Sequence, residues 1–600
     1  MTEGPAAEAI RNRNARSSSA NEVARGFVAP PQYWQMAQPG NTVIVGPRGS
    51  GKTTLLKMLR SPTLELWQHP EADRARKLVT YSGVLIPADK SWAGQVGSYE
   101  FFDDDLRASL GEACYTLHTL RALSQCAAQR IEPTNSPHPH GRAKIDRTEE
   151  ERIAADTWRG WGLPEPVGSF RGLSEAASSL IEELGRVAKR ASRLRSVEPL
   201  REHRALDLDL VEAAIPFIDR FNSAAGQPDH VWALLIDEIE FLPPGIHTTI
   251  MGSMRGRDPR LIQKVSIAPY TQAVGQPQGA FSAWVGHDLE EVDLTFQEKE
   301  DGYQFATELV EKEIEGMGLG DLTPAQLLGG PGFFESRPGQ TAYASNTTNG
   351  KAISGLSRKD PSFRQWLAER KINPKELAPV KGVKRASTLR KSIAIILLRD
   401  TYLHSVGGRL QRRSRKSPQT YTGEFSAYAI CENNPRRLKT LTSRLLTARS
   451  QAKSKRFSNS LRAEAVGAIA DQFAFYLRAI EVPETTPSHM LPARLVETIG
   501  SYFAARIYGQ RFDPEPPLSF EASPRDSLAD PILRQVLSQL IFYGAVVPIG
   551  VDRYRLAHTF APIYRLPLRA GRPISLQSIL AEAGDSSTQM QIADRDEPGE

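Results

Sequence analysis

Gly46-Pro-Arg-Gly-Ser-Gly-Lys-Thr-Thr54 places glycines, a lysine and hydroxyls in the order G-x-x-x-x-G-K-[ST]. That spacing suits phosphate, because the glycines let successive backbone N–H groups close around anionic oxygens. Lys52 would reach the β- and γ-phosphates, and Thr53 would set its hydroxyl on Mg²⁺. The expected cradle is therefore Gly46, Pro47, Arg48, Gly49, Ser50, Gly51, Lys52, Thr53 and Thr54. Far along the chain, Val231 to Glu240 reads VWALLIDEIE, an apolar run closing on carboxylates. Asp237 would complete the Mg²⁺ shell, and Glu238 would polarise an attacking water. A plain core strand running into an acidic turn would use the same letters. The phosphate loop tips the balance, since its metal needs a carboxylate from a neighbouring strand.

Elements must hold these groups in place. Asn41 to Val45 reads as a strand before the loop, and Thr54 to Leu59 as a helix after it, whose N-terminal N–H groups and dipole favour an anion. The unbroken apolar run before Asp237 predicts a strand buried on both faces of a parallel sheet. Lys77 to Leu85 (ended by Pro87) and Lys264 to Ala268 (ended by Pro269) read as further strands. Between 98 and 200 lies an insertion. Phe101, Phe102, Leu106, Leu110, Cys114, Leu117 and Leu120 predict one helix, and Leu173, Ala177, Leu180, Leu184, Val187, Ala191 and Leu194 a second, together a helical hairpin. Glu132 to Arg147 between them has loop composition; His138 and His140 lack nearby metal-ligating partners. Leu208 to Phe221 reads as the helix feeding the acidic strand. The first 25 residues are polar and basic, read as a disordered tail, and Phe27 to Trp34 as an extended aromatic segment.

Helices dominate from Asp301 onward: Lys391 to Tyr402 is apolar and helical, and Gly329 to Gly350 is loop-like. In ENNPRRLKTLTSRLL from Glu432, Asn434-Pro435 stops one segment and Arg436-Arg437 opens the next helix, since proline at the first turn lacks only an N–H that would be unpaired anyway. Pro531 to Leu540 predicts a helix. Ala545 to Ile549, a Gly-Val-Asp turn and Tyr554 to Ala557 predict a β-hairpin. The tail from Gly584 is acidic and polar.

Composition sets wider bounds. The chain has 600 residues, which suggests about three or four domains at roughly 150 residues each. Cys114, Cys126 and Cys431 are its three cysteines; they lie far apart and point to a reducing, cytoplasmic setting rather than a metal site. The start, MTEGPAAEAIRNRN, has no apolar core and reads as no secretory signal. No stretch approaches about 18 consecutive apolar residues, so no membrane partner is expected. A net charge of +6 permits a polyanionic partner without requiring one.

The order of phosphate loop, acidic strand, polar-tipped strand and Asn-Pro-Arg-Arg-Leu helix resembles AAA+ ATPases over roughly residues 27–480. Within these it looks most like the origin-recognition and initiator clade, and the related STAND signalling ATPases. The resemblance implies an α/β fold: a P-loop doubly wound parallel sheet at 26–300, a helical lid at 301–485 and a winged-helix-like domain at 486–580, with tails at 1–25 and 581–600. It implies ATP and Mg²⁺, with Lys52 and Glu238 catalytic. In that family an arginine of the lid helix reaches the nucleotide; Arg436 matches, with Arg437 the alternative. The residue before the Asn is usually glycine; here Asn433 stands there, and asparagine also accepts left-handed backbone. The tip Ser266 to Gln272 sits where such ATPases sense the γ-phosphate, with Thr271 and Gln272 the choices. Tyr33 or Trp34 would stack on adenine or pack on the sheet edge. Arg255, Arg257 or Arg260 would serve a neighbour's γ-phosphate or form a solvated basic loop. An ABC signature and a guanine-reading Asn-Lys-x-Asp are both missing, which favours adenine. A nucleoside kinase would be shorter.

Two roles stay open. The first is an initiator-like ATPase on DNA, in replication, mobile-element or genome (phage) defence work. From Lys381 to Lys416 basic residues face a single acid, Asp400, and RRSRK from Arg412 would neutralise phosphates; Arg534 is the basic group of the 531–540 helix. The second is a STAND-like switch that uses ATP to assemble with a protein partner. Either role admits a homo-oligomer and a separate effector protein, since no effector segment is visible.

Overall fold

A computed structural model of the chain describes residues 15–88, 101–163, 166–242, 244–255, 258–269, 286–295, 299–330, 332–334, 343–374, 383–413, 418–451, 457–522 and 530–583. The chain forms two units, Met1–Gln297 and Glu298–Glu600.

The first unit opens with α1 (Ala20–Arg25) and α2 (Pro31–Met36), then β1 (Thr42–Val45), α3 (Lys52–Lys57), α4 (Ser61–Leu66), α5 (Ala72–Leu78) and β2 (Ser82–Pro87). The insertion supplies α6 (Asp104–Ile131), α7 (Arg147–Gly160) and α8 (Phe170–Leu194). Then follow α9 (Leu210–Ala224), β3 (Trp232–Asp237), α10 (Pro244–Gly252), β4 (Leu261–Ile267) and β5 (Glu290–Asp293). The strands pair in the order β2-β3-β4-β1-β5, every neighbour parallel.

Alternation along the strands sorts their side chains onto two faces. Val43, Val84, Leu234, Ile236, Val265 and Ile267 join one core with Leu117, Leu180 and Phe217 of α6, α8 and α9. Ile44, Ala233, Leu235 and Val292 join another with Tyr33, Met36, Leu55 and Trp67. Helices thus cover both faces, which is why β3 is apolar up to its last residue, Asp237, and buried at every position. The insertion helices form much of one cover.

Three expectations need correction here. Residues 20–25 of the supposed disordered tail are helical, because Ser19 and Glu22 form a reciprocal capping box and Val23 and Ala24 are buried. The 27–34 segment is not extended throughout: Pro31 starts α2, and proline suits a first helical position. The second strand starts at Ser82 rather than Lys77, because Arg76 and Lys77 close α5, where cations favour the carbonyl end. Residues 1–14, and the tail beyond 583, lie outside the described residues.

The second unit contains α11 (Lys299–Gly316), α12 (Thr348–Lys359), α13 (Pro361–Glu369), α14 (Val383–Tyr402), β6 (Leu403–Val406), β7 (Arg409–Arg412), α15 (Glu424–Ile430), α16 (Pro435–Gln451), α17 (Asn459–Tyr476) and α18 (Pro492–Tyr508). It continues with β8 (Pro517–Glu521), α19 (Pro531–Phe542), β9 (Val546–Gly550), β10 (Arg553–Leu556) and β11 (Arg572–Ser575). The last four strands pair as β11-β8-β10-β9, with β9 and β10 an antiparallel hairpin and β11 parallel to β8. The β6–β7 hairpin is an addition to the expected helices; Gly407 and Gly408 turn it at φ 57° and 79°.

One basic residue of this region is not at the surface. Arg399 is fully buried with Asp360, whose carboxylate takes its Nε at 3.0 Å and a terminal nitrogen at 2.6 Å. The other terminal nitrogen donates to the carbonyls of Ile507 (2.6 Å) and Gly509 (2.8 Å). Arg399, one of the basic residues between Lys381 and Lys416, is therefore an internal tie and not part of a basic surface. Asp400 pairs with Lys359 at 2.8 Å.

A candidate nucleotide site at the carboxyl ends of the parallel strands

Because β1, β3 and β4 run parallel, their carboxyl ends share one sheet edge, where open α/β sheets leave a crevice. The loop after β1 is anchored there by the Gly46 N–H donating to the Ile267 carbonyl at 3.2 Å. Gly49 and Gly51 take φ of 87° and 98°, which side-chain-bearing residues avoid. A Cβ on Gly46 would lie 2.5 Å from the Ser50 hydroxyl. Lys52 heads α3 and is 6% exposed. Its ammonium folds back onto the loop, donating to the Gly46 carbonyl at 2.5 Å.

Next to the loop, Asp237 is 1% exposed and held from two sides. Thr53 donates its hydroxyl to one carboxylate oxygen at 2.7 Å, and Ser266 donates to the other at 2.7 Å. The Ser266 hydroxyl in turn accepts the Glu238 N–H at 2.8 Å. Register explains the meeting: Ile236 lies opposite Val265 and Ile44 opposite Ser266, so the three strands end level.

Glu238 has φ 56°, a left-handed conformation uncommon for a residue with a side chain, and a marker of constrained sites. Burial and the neighbouring Asp237 push its carboxyl up from the usual range, while Arg16, Lys52 and Arg48 pull it down. Arg16 lies 3.3 Å from its Oε2. Glu240 is enclosed nearby, and burial pushes its carboxyl up to about 7.

These donors fit a magnesium nucleotide. The Thr53 hydroxyl and the Asp237 carboxylate are hard oxygens of the kind Mg²⁺ takes, and the loop turns at Gly49 and Gly51 through conformations that let its backbone approach phosphate.

Residues 8–576 match the sequence model of the ORC-CDC6-like family. The chain belongs to that family. Membership places it among initiator-like AAA+ ATPases, a class that binds nucleotide with Mg²⁺. No curated protein matches it. No helix among the described residues is long and apolar enough to cross a membrane.

Not every expected site residue of this ORC-CDC6-like chain joins the cluster. Thr271, Gln272 and Arg257 lie outside the described residues, and the polar group at the tip of β4 that does meet Asp237 is Ser266. Arg260 is held between Asp258 and Asp219 of its own unit, so it is not poised for a neighbour. Arg255 is 45% exposed in its side chain, with Asp288 at 4.0 Å. Tyr33 is fully buried and donates its hydroxyl to the Met58 carbonyl at 3.1 Å, which removes it from adenine. Trp34 carries the Arg74 guanidinium 4.0 Å from its ring centroid. Arg16 was missed because it falls in the polar start; the Ser19-Ala-Asn-Glu22 capping signature just after it was the available sign of order.

In the second unit, Asn434 caps α16 by accepting the N–H groups of Arg436 (3.1 Å) and Arg437 (3.3 Å), after Glu432 and Asn433 turn through left-handed φ of 55° and 50°. Arg437 donates to Thr559 Oγ1 (3.0 Å) and to the carbonyls of Tyr543 (3.2 Å) and Gly544 (3.0 Å), and stacks 4.1 Å from the Phe473 centroid. Its guanidinium is committed to its own unit, so the alternative register is corrected; Arg436 is exposed at the first turn. Arg437→Ala should destabilise the chain by about 2–3 kcal/mol, the usual range for lost charged hydrogen bonds, and Arg436→Ala by under about 0.5 kcal/mol. Thermal unfolding of the two variants checks the contrast.

Proposed function

We propose that this ORC-CDC6-like protein binds and hydrolyses ATP at residues 46–54 and uses the cycle to act on DNA, in replication, mobile-element or genome-defence work. One observation carries the hydrolytic reading: Asp237 is shared between the Thr53 hydroxyl and Ser266, one residue from Glu238 and beside a loop only glycine can build. Lys52 leaves the Gly46 carbonyl for the β- and γ-phosphates. Thr53 and Asp237 hold the metal. When bound, Mg²⁺ neutralises charge developing between the β- and γ-phosphates. Glu238 orients and polarises the water, its main chain fixed by the bond to Ser266. Arg436 takes the lid arginine's part.

Lys52→Ala tests the binding step. Losing a charge-assisted contact of about 2–3 kcal/mol should weaken ATP roughly 30- to 150-fold. Titration with a fluorescent ATP analogue measures it, and unchanged affinity would reject the assignment.

For DNA, support comes from exposed Arg409 in the β6–β7 hairpin and Arg413 just after it, and from the β9–β10 hairpin, whose tip residue Val551 is 94% exposed. We read α19 with that hairpin as winged-helix-like, a motif that sets a helix in a groove and a wing on the backbone. Arg412 already lies 4.9 Å from the Tyr508 ring centroid and donates to the Tyr564 carbonyl; Arg415 and Lys416 lie outside the described residues. Anisotropy across a salt series, with a slow ATP analogue, should show affinity falling with a slope near ~0.9 per phosphate neutralised. Replacing Arg409 and Arg413 together should flatten the slope equally for all sequences, while Arg534→Ala should change sequence preference. No affinity at low salt, with nucleotide-dependent assembly on a protein partner instead, would favour the STAND-like reading.

A further inference from the structure

We propose that the segment 15–19 latches the water-polarising carboxylate, with Arg16 as a positioning residue that restrains Glu238 until the segment lets go. The inference rests on the hydrolytic reading of Glu238.

Three sets of contacts place the segment. The Arg16 guanidinium lies 3.3 Å from Glu238 Oε2 and donates to the Ala88 carbonyl. Ala88 follows β2 and gives its own N–H to the Asp237 carbonyl at 3.1 Å, so Arg16 spans the ends of β2 and β3. Lys57, the last residue of α3, donates its ammonium to the carbonyls of Ala15 (2.6 Å), Arg16 (3.0 Å) and Ser18 (2.9 Å). Those are as many acceptors as an ammonium has protons. Beyond the segment, α1 starts at its capping box and buries Val23 and Ala24 in the same core as Leu55 and Leu56 of α3. The helix that begins with Lys52 therefore holds both the phosphate loop and this segment.

The chemical effect follows from charge. A carboxylate oxygen engaged by a guanidinium is a poorer acceptor for a proton from water, and its direction is fixed by the pair. The other charged groups around Glu238 are Asp237, Lys52, Arg48 and Glu240. None of these belongs to a segment that could leave without dismantling the loop or the acidic strand; Arg16 does. The Arg16 and Glu238 side chains are 36% and 23% exposed, so the pair is of the weak, water-screened kind. A weak pair on a separately fastened segment can be released by a modest signal.

The test has a readout that needs no turnover. Hydrogen exchange in the nucleotide-free full chain should report faster exchange at amides 15–19 in Lys57→Met and in Arg16→Ala, with Arg16→Lys closer to the parent. Affinity for a fluorescent ATP analogue should stay the same in all three. Single-turnover hydrolysis should rise about two- to fivefold in Arg16→Ala, as expected for losing a partly exposed pair, with Arg16→Lys restoring the slower rate. In a Glu238→Gln background, Arg16→Ala should bring no further change. Unchanged exchange in both Lys57→Met and Arg16→Ala would overturn the latch, and so would slower hydrolysis in Arg16→Ala. An equal rise in the Glu238→Gln background would show that Arg16 does not act through Glu238. Parental hydrolysis by Glu238→Gln alone would instead remove the role of Glu238 itself, whatever the exchange data show.

Discussion

Glu238→Gln is expected to hold ATP as the parent does and to hydrolyse it about 10²- to 10⁴-fold more slowly, the span general-base groups contribute. Glutamine keeps the length of the side chain. The N–H bonded to Ser266 and the left-handed backbone belong to the main chain and need no charge. Only the negative charge that draws a proton from water is lost, so the effect falls on the chemical step. Single-turnover rates beside analogue binding separate the two steps. Affinity lost as completely as in Lys52→Ala, or a parental rate, would contradict the role.

The second large effect is on stability. Asp360→Ala should destabilise the chain by about 3–5 kcal/mol, because a fully buried Arg399 would lose its counter-charge. The same carboxylate accepts the Phe363 N–H at 3.1 Å and the Ser362 hydroxyl at 2.7 Å, so α13 loses its N-terminal cap as well. Thermal unfolding should fall by about 5–15 °C. Arg399→Met should cost a comparable amount, since it leaves the Asp360 carboxylate buried without its cation and the Ile507 and Gly509 carbonyls without their donor. A shift under about 2 °C for Asp360→Ala would mean that water reaches the pair.

The chemistry was more legible than its surroundings, and the reason is locality. A phosphate loop draws its glycines, lysine and threonine from adjacent positions, and a buried parallel strand advertises itself as an unbroken apolar run. Ser266 is different: its bond to Asp237 exists only because β4 pairs with β3 in one register, and no local pattern states a register. Arg399 looked like surface charge, and Arg437 like a second choice for the nucleotide-reaching arginine, because composition does not reveal that Asp360 or the Tyr543 and Gly544 carbonyls wait for them. The Gly407-Gly408 turn was visible in the letters, but the flanking strands are too short to show alternation. Arg16 was hidden by the polar residues around it, although Ser19 and Glu22 marked a helix start.

The insertion has a thermodynamic consequence. Leu117, Leu180 and Ile153 share one continuous core with Val43 and Ile236, so removing residues 104–194 would strip a sheet face to water and not merely trim a surface. Arg130 ties the two together from α6, its guanidinium 4.9 Å and 5.2 Å from the Phe221 and Trp232 ring centroids. Insertion and strands should melt as one cooperative block, with no separate transition for the helices. By linkage, a ligand held at residues 46–54 would then protect amides of α8 against global unfolding by the same increment as those of β1, although α8 contributes no residue to the loop.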